Sequence, residues 1–224
     1  MMEMTAAELD KRINKFLPGI GNITIKTDKQ IKEWEERRAA QEFNEWQQKS
    51  GLSSEFYGAS ITSSLYTEET RGQLEEFVRQ VKDGHGPFLI NIGKVGTGKT
   101  YSAAAVMNAL RFGTYLDMPE LELKLSTADR YGARENREDL MHRLAACRLL
   151  VLDEIGRFPH KREKEQEVLF YLIKSRYQNR RPTILCSNMS GEEFAQHLGE
   201  ALIDRIKSRR IRIDLNGPSM RGKE

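Results

Sequence analysis

Gly93-Lys94-Val95-Gly96-Thr97-Gly98-Lys99-Thr100 fits G-x-x-x-x-G-K-[ST] and directly follows the apolar run Phe88-Leu89-Ile90-Asn91-Ile92. A strand that runs through such a loop into a helix, here the stretch 101–110, is a phosphate-binding arrangement. Gly93, Gly96 and Gly98 let backbone N–H groups converge on anionic oxygens at a helix N-terminus, with Thr97 part of the same cradle. Lys99 adds a point charge, and the Thr100 hydroxyl is a ligand for Mg²⁺. A nucleoside triphosphate is the ligand to expect.

The 224 residues have room for one domain of about 100–200 residues and a small appendage. Cys147 and Cys186 lie beside or within apolar segments, with neither C-x-x-C spacing nor histidine pairs nearby, so buried free thiols in a reducing compartment are expected. His85, His142, His160 and His197 show no metal spacing and read as surface or packing residues. The start, Met1 to Asp10, is acidic and broken by charge, unlike a signal peptide, and no apolar run approaches the ~18 residues of a membrane span. A soluble, cytoplasmic protein with no membrane partner is expected.

Net charge is only +3, but it is unevenly placed. Residues 157–181 hold eight Lys/Arg against three Asp/Glu, and residues 205–224 hold seven against two, which leaves the remainder net acidic. Basicity concentrated around the presumed phosphate site suits a nucleic-acid backbone; a solvated helix face laced with Glu–Lys pairs is the other reading of the first stretch.

Thr5-x-x-Glu8 is a capping box, after which Leu9, Ile13, Phe16 and Leu17 keep helical spacing until Pro18-Gly19 stops it. A second helix opens near Thr27-Asp28 and runs to about Lys49, with Ile31, Trp34, Phe43 and Trp46 among many charges. Its narrow apolar stripe serves either a hairpin with the first helix or a partner. Residues 51–66 read as a linker, since they open on Gly51-Leu52-Ser53-Ser54. From there helical and strand patterns alternate, with strands at 88–92, 114–117, 149–152, 183–187 and 211–215. Such alternation specifies an α/β fold with a five-stranded, mainly parallel sheet covered on both faces. The chain ends nine residues after Leu215, so no C-terminal helical lid domain is expected.

The run Leu149-Leu150-Val151-Leu152 ends in Asp153-Glu154. An acid at a strand's C-terminal end can hold the Mg²⁺ shell, and the carboxylate beside it can activate water, so Asp153 takes the first role and Glu154 the second. Thr183-Ile184-Leu185-Cys186-Ser187 delivers Asn188 to the same sheet edge, where a neutral polar group can orient water or sense the γ-phosphate; turn chemistry before the Ser190-x-x-Glu193 cap is the bland alternative. By composition Arg205 is indistinguishable from Arg209 or Arg210.

The order of residues 93–100, Leu149-Leu150-Val151-Leu152-Asp153-Glu154-Ile155-Gly156, residues 181–188, Leu202-Ile203-Asp204-Arg205 and Asn216-Gly217-Pro218-Ser219-Met220-Arg221 resembles the AAA+ ATPases of the DnaC/DnaI helicase-loader and IstB transposition-helper group. The resemblance covers roughly residues 67–224 and is closest to the DnaC type. It implies a P-loop AAA+ core that binds and hydrolyses ATP with Mg²⁺ and self-associates through its nucleotide sites. On the family pattern Arg205 is an arginine finger for a neighbouring subunit, and Arg221 a second sensor of nucleotide. Met220 stands where the family has an aromatic residue, and the cysteine cluster of zinc-bearing loaders is absent, so no zinc site is implied.

Lys15-Phe16-Leu17-Pro18, Lys26-Thr27 and Ile31-Lys32-Glu33-Trp34 resemble the helicase-docking segment of DnaC-type loaders, which makes residues 1–50 a docking region with Phe16, Leu17 and Trp34 as contacts. In the family the segment after the second ATPase motif helps bind single-stranded DNA; here it carries Arg157, Lys161, Arg162 and Lys164. The function implied is ATP-dependent loading of a replicative helicase onto single-stranded DNA. An IstB-like helper that delivers a transposase, or a nucleotide-gated DNA-binding scaffold with little turnover, are the alternatives.

Overall fold

The computed structural model describes residue 8 and residues 28–130, 135–158, 162–217 and 219. The helix expected at residues 5–17, with Phe16 and Leu17, lies outside the described residues apart from Glu8, as do Lys161 and Arg221. By its contacts the chain divides into two compact units, Met1–Trp46 and Gln47–Glu224. Helix α1 (Asp28–Lys49) crosses that division. Within the first unit it is laced by charges such as Arg38–Glu42 at 2.8 Å, and Phe43 stacks on Trp46 with ring centroids 5.5 Å apart.

In the second unit β1 (Phe88–Gly93), β2 (Thr114–Asp117), β3 (Leu150–Ile155), β4 (Thr183–Ser187) and β5 (Arg210–Leu215) form one sheet in the order β2-β3-β4-β1-β5. Every strand pair is parallel; Phe88 faces Thr183 on one side and Arg210 on the other. The helices are α2 (Glu68–Lys82), α3 (Lys99–Leu110), α4 (Met118–Ala128), α5 (Arg137–Ala146), α6 (Arg162–Gln178), α7 (Gly191–Leu198) and α8 (Glu200–Lys207). Phe88, Ile90 and Ile92 join Leu150, Leu152 and Leu185 in a core closed by α4 to α8. The alternate residues of the same strands, Leu89, Val151 and Ile184, are buried as completely. Period-two alternation puts them with Asn91, whose Nδ2 donates to Ser102 Oγ at 2.8 Å, on the face covered by α3. Burial on both faces is why these strands read as unbroken apolar runs, each enclosed Leu or Phe contributing about 1.5–3 kcal/mol.

Local chemistry starts the helices where the strands stop. Asp117, the last residue of β2, accepts the Glu120 N–H with its side chain and has Pro119 just inside the helix it caps. Ser190 and Glu193 form a full capping box three residues after β4. Residues 51–66 are well packed: Leu52, Ala59, Ile61 and Tyr66 are buried, and Asn108 of α3 donates to Phe56 O and Ala59 O at 3.1 and 2.9 Å. Just before them Ser50 O accepts the Tyr115 N–H at 2.7 Å, which occupies part of the outer edge of β2.

Arg176 on α6 is fully buried, although its sequence neighbourhood counts it among the cations offered to a phosphate backbone. Its guanidinium donates to Leu144 O at 2.7 Å, Ala145 O at 3.2 Å and Cys147 O at 3.0 Å, which closes the C-terminal end of α5. It also donates to Thr183 Oγ1 at 2.8 Å and Pro182 O at 2.6 Å at the start of β4. Burial pulls its ionisation down to about 10, so it remains a cation at neutral pH. Replacing it with methionine keeps the stem but leaves buried carbonyls without donors; Arg176→Met is expected to lower unfolding free energy by about 3–5 kcal/mol in a denaturant titration.

Candidate nucleotide site

The sheet order puts the C-terminal ends of β3, β4 and β1 side by side, and the crevice at such an edge is where open parallel sheets bind ligands. The loop after β1 is shaped by its glycines. Gly93, Gly96 and Gly98 have φ of +148°, +83° and +91°. A Cβ on Gly93 would strike Leu215 O of β5, and one on Gly96 would strike Ser219 Oγ, so the loop is wedged beneath the chain that follows β5. Gly98 caps α3 without a side-chain hydrogen bond, which leaves the helix N-terminal amides to an anion.

Lys99 curls back over this loop. Its Nζ donates to Gly93 O at 2.7 Å and Lys94 O at 2.6 Å, while Thr97 Oγ1 donates to Lys94 O at 2.9 Å. The ammonium is thus held against the backbone carbonyls of the loop itself.

Asp153 closes the other wall. It is 2% exposed, and its Oδ2 accepts the Thr100 hydroxyl at 2.6 Å and the Tyr115 hydroxyl at 3.0 Å. Its Oδ1 accepts the Glu154 N–H at 2.7 Å. A hydroxyl and a carboxylate in contact at the mouth of a phosphate loop are the hard oxygen donors that Mg²⁺ takes alongside substrate phosphates, so the residues fit that ion. Burial, and then the Asp153 carboxylate, push the Tyr115 phenol far above its ordinary range and keep it a donor. Cys186 on the neighbouring strand is likewise pushed up, first by burial and then by Asp153, and stays a thiol. Both cysteines are free, Cys147 partly buried and Cys186 fully.

Glu154 lies within β3, where the register with β4 shifts, in a left-handed conformation, φ +56°, which costs a non-glycine residue of order 1–3 kcal/mol and is over-determined by its neighbours. Its Oε1 lies 3.4 Å from Arg157 Nη1, at the exposed end of the turn. Asn188 follows β4 on the adjacent strand end and lines a cavity of about 520 Å³ with Arg157, Arg162 and Glu193. The structure therefore gathers Gly93, Gly96, Thr97, Gly98, Lys99 and Thr100 with Asp153, and puts Glu154 and Asn188 on neighbouring strand ends.

Other residues singled out by sequence sit elsewhere. Arg205, partly buried on α8, lies over the Phe170 ring of α6 at 5.7 Å. Arg162 and Lys164 are exposed in the first turn of α6. In the first unit Trp34 is 41% exposed with the Arg38 guanidinium 5.5 Å above its ring. Tyr115 and Asn91 were not legible as site residues. Asn91 ties β1 to Ser102, whose hydroxyl donates to Lys99 O at 2.7 Å, and its only sequence signal is an amide inside an otherwise apolar run. Among the described residues no cluster of three His, Cys, Asp or Glu could hold a metal by itself, and no helix is long and apolar enough to cross a membrane.

Comparison with known proteins bears on the whole of this edge. Residues 77–224 match the family described as IstB-like ATP binding protein, a span that takes in the loop, Asp153, Glu154, Asn188 and Arg205. The replicative helicase loader DnaC of Escherichia coli (strain K12) is 26% identical over 225 residues, covering 89% of this chain and 89% of that protein. A putative ATP-binding protein of insertion sequence IS21 from Pseudomonas aeruginosa is 32% identical over 142 residues, covering 61% of this chain and 53% of that protein. The crystal structure of the DnaC helicase loader superposes with a TM-score of 0.61 at 22% identity, over 72% of this chain and 99% of that one, a likeness that establishes the AAA+ fold. With more than half of its length matched, this chain belongs to the family of IstB-like ATP-binding proteins.

Proposed function

We propose that the protein is an ATP-hydrolysing loader of a replicative DNA helicase onto single-stranded DNA. The observation that carries this reading is the extent of the likeness to DnaC, which runs through 89% of both chains and so takes in sequence beyond the ATP-binding match. In this reading residues 1–50 dock the helicase through Phe16, Leu17 and Trp34, residues 51–66 connect, and residues 67–224 form the ATPase core. Bound Mg²⁺, held through Thr100 and Asp153, would neutralise charge on the transferring phosphate. The loop amides and Lys99 orient the phosphates; Arg221 senses the nucleotide; Asn188 orients water, and Glu154, half-buried at the end of β3, takes the proton from it. Arg157, Lys161, Arg162 and Lys164 supply cations to a DNA backbone. Arg205 acts on the nucleotide of a neighbouring copy, and its seat on the exposed Phe170 keeps it near the surface where such a copy would lie.

A second reading, a transposition helper, is favoured by the 32% identity to the IS21 protein, but that match covers 61% of this chain. Binding separates the two. The full-length protein should co-purify with the replicative helicase of its own organism, and Trp34→Ala should weaken that affinity by about thirtyfold, the loss expected of a buried aromatic anchor. Full-strength capture by Trp34→Ala, or no capture by the wild type, contradicts the docking assignment.

The ATPase assignment has its own readout. Lys99→Ala should lose nucleotide binding, whereas Glu154→Gln should bind normally and turn over at least about a hundredfold more slowly. Arg205→Ala should also bind and fail to turn over, and mixing it with Lys99→Ala should restore activity, because one supplies an intact site and the other an intact finger. Two inactive proteins that remain inactive in a demonstrably mixed assembly place Arg205 outside a shared site.

A further inference from the structure

Glu165 lies in the first turn of α6 with its side chain 2% exposed. One oxygen, Oε1, accepts the Gly156 N–H at 2.8 Å. The other, Oε2, lies 3.1 Å from His197 Nε2 on α7, an approach outside hydrogen-bond alignment. The aligned contact of this enclosed carboxylate is therefore with the backbone two residues beyond Glu154. That backbone has little freedom of its own to hold the shape. Glu154 and Gly156 both have left-handed φ, +56° and +96°, on either side of Ile155. Ser187 Oγ donates to Ile155 O at 2.7 Å, and Arg157 N closes the turn on Glu154 O at 3.0 Å. A Cβ on Gly156 would strike Met189 Cε, so the turn is pressed against the chain that follows β4.

The geometry points to Glu165 as a positioning residue for ATP hydrolysis: by holding Gly156 it fixes the turn that aims the Glu154 carboxylate. This rests on the reading of Glu154 as the group that activates water. Glu165 works as an acceptor of fixed reach and does not touch nucleotide. A glutamine has the same reach and keeps an acceptor oxygen for Gly156, while its amide N–H faces His197. An aspartate keeps the charge but is shorter by one methylene and loses the contact.

Steady-state turnover and nucleotide affinity, measured on full-length Glu165→Gln, Glu165→Asp and Glu165→Ala beside Glu154→Gln, test this. Glu165→Gln should turn over within about threefold of the wild type. Glu165→Asp and Glu165→Ala should lose about ten- to a hundredfold in kcat, the effect of displacing a catalytic group on the ångström scale, with nucleotide affinity within about threefold of the wild type. A fast Glu165→Asp with a slow Glu165→Gln overturns the inference in favour of charge. So do equal losses of binding and turnover, which mark a merely structural residue, and normal turnover in all three while Glu154→Gln is inactive. If Glu154→Gln itself turns over normally, the assignment of Glu154 is what fails, and the positioning role falls with it.

Discussion

One buried carboxylate organises the nucleotide edge. Asp153 accepts the hydroxyl of Thr100 from the first turn of α3, the hydroxyl of Tyr115 from β2, and the backbone N–H of Glu154. β1 and β3 are not neighbours in the sheet, because β4 runs between them. The Thr100–Asp153 contact therefore spans an entire strand and ties the phosphate-loop helix to the strand that bears the acid pair. A carboxylate at 2% exposure is costly to bury, and the three donors around it offset that cost. The same three donors fix the separation between the loop that grips phosphate and the turn that presents Glu154.

Around that anchor the loop is shaped by close approach. Gly93 lies so near the backbone Leu215 O that a side chain there would collide with it, and Gly96, with φ +83°, is strained for any other residue and approaches Ser219 Oγ. Leu215 and Ser219 thus lie against the phosphate loop. At the opposite side of the unit, Arg176 does comparable work for the scaffold by closing α5 onto the start of β4.

Much of the fold was legible because local signals agreed. The five apolar runs became five strands with boundaries shifted by at most a few residues, and Ser190-x-x-Glu193 became a capping box. β3 runs on through Asp153, Glu154 and Ile155, where the apolar pattern had stopped at Leu152, since Thr100 and Tyr115 make an acid acceptable inside the sheet. The sheet proved wholly parallel among the described residues. The loop, Asp153, Glu154 and Asn188 were legible from a motif and from strand ends. Tyr115, Glu165 and Arg176 were not, for one reason: each finds its partners on other elements, at separations that no helical or strand period relates to it. Counting charge misled for the same cause, since Arg176 contributes to the basic stretch on paper and is sealed in the core in space.

The central claim is that Thr100 and Asp153 are held together to receive Mg²⁺ beside the phosphates. Nucleotide affinity measured by titration with and without Mg²⁺, on the wild type and on Asp153→Asn, tests it most directly. Wild-type affinity should rise on adding Mg²⁺, whereas Asp153→Asn should keep its metal-free affinity and lose that rise. An undiminished Mg²⁺ effect in Asp153→Asn would contradict the account.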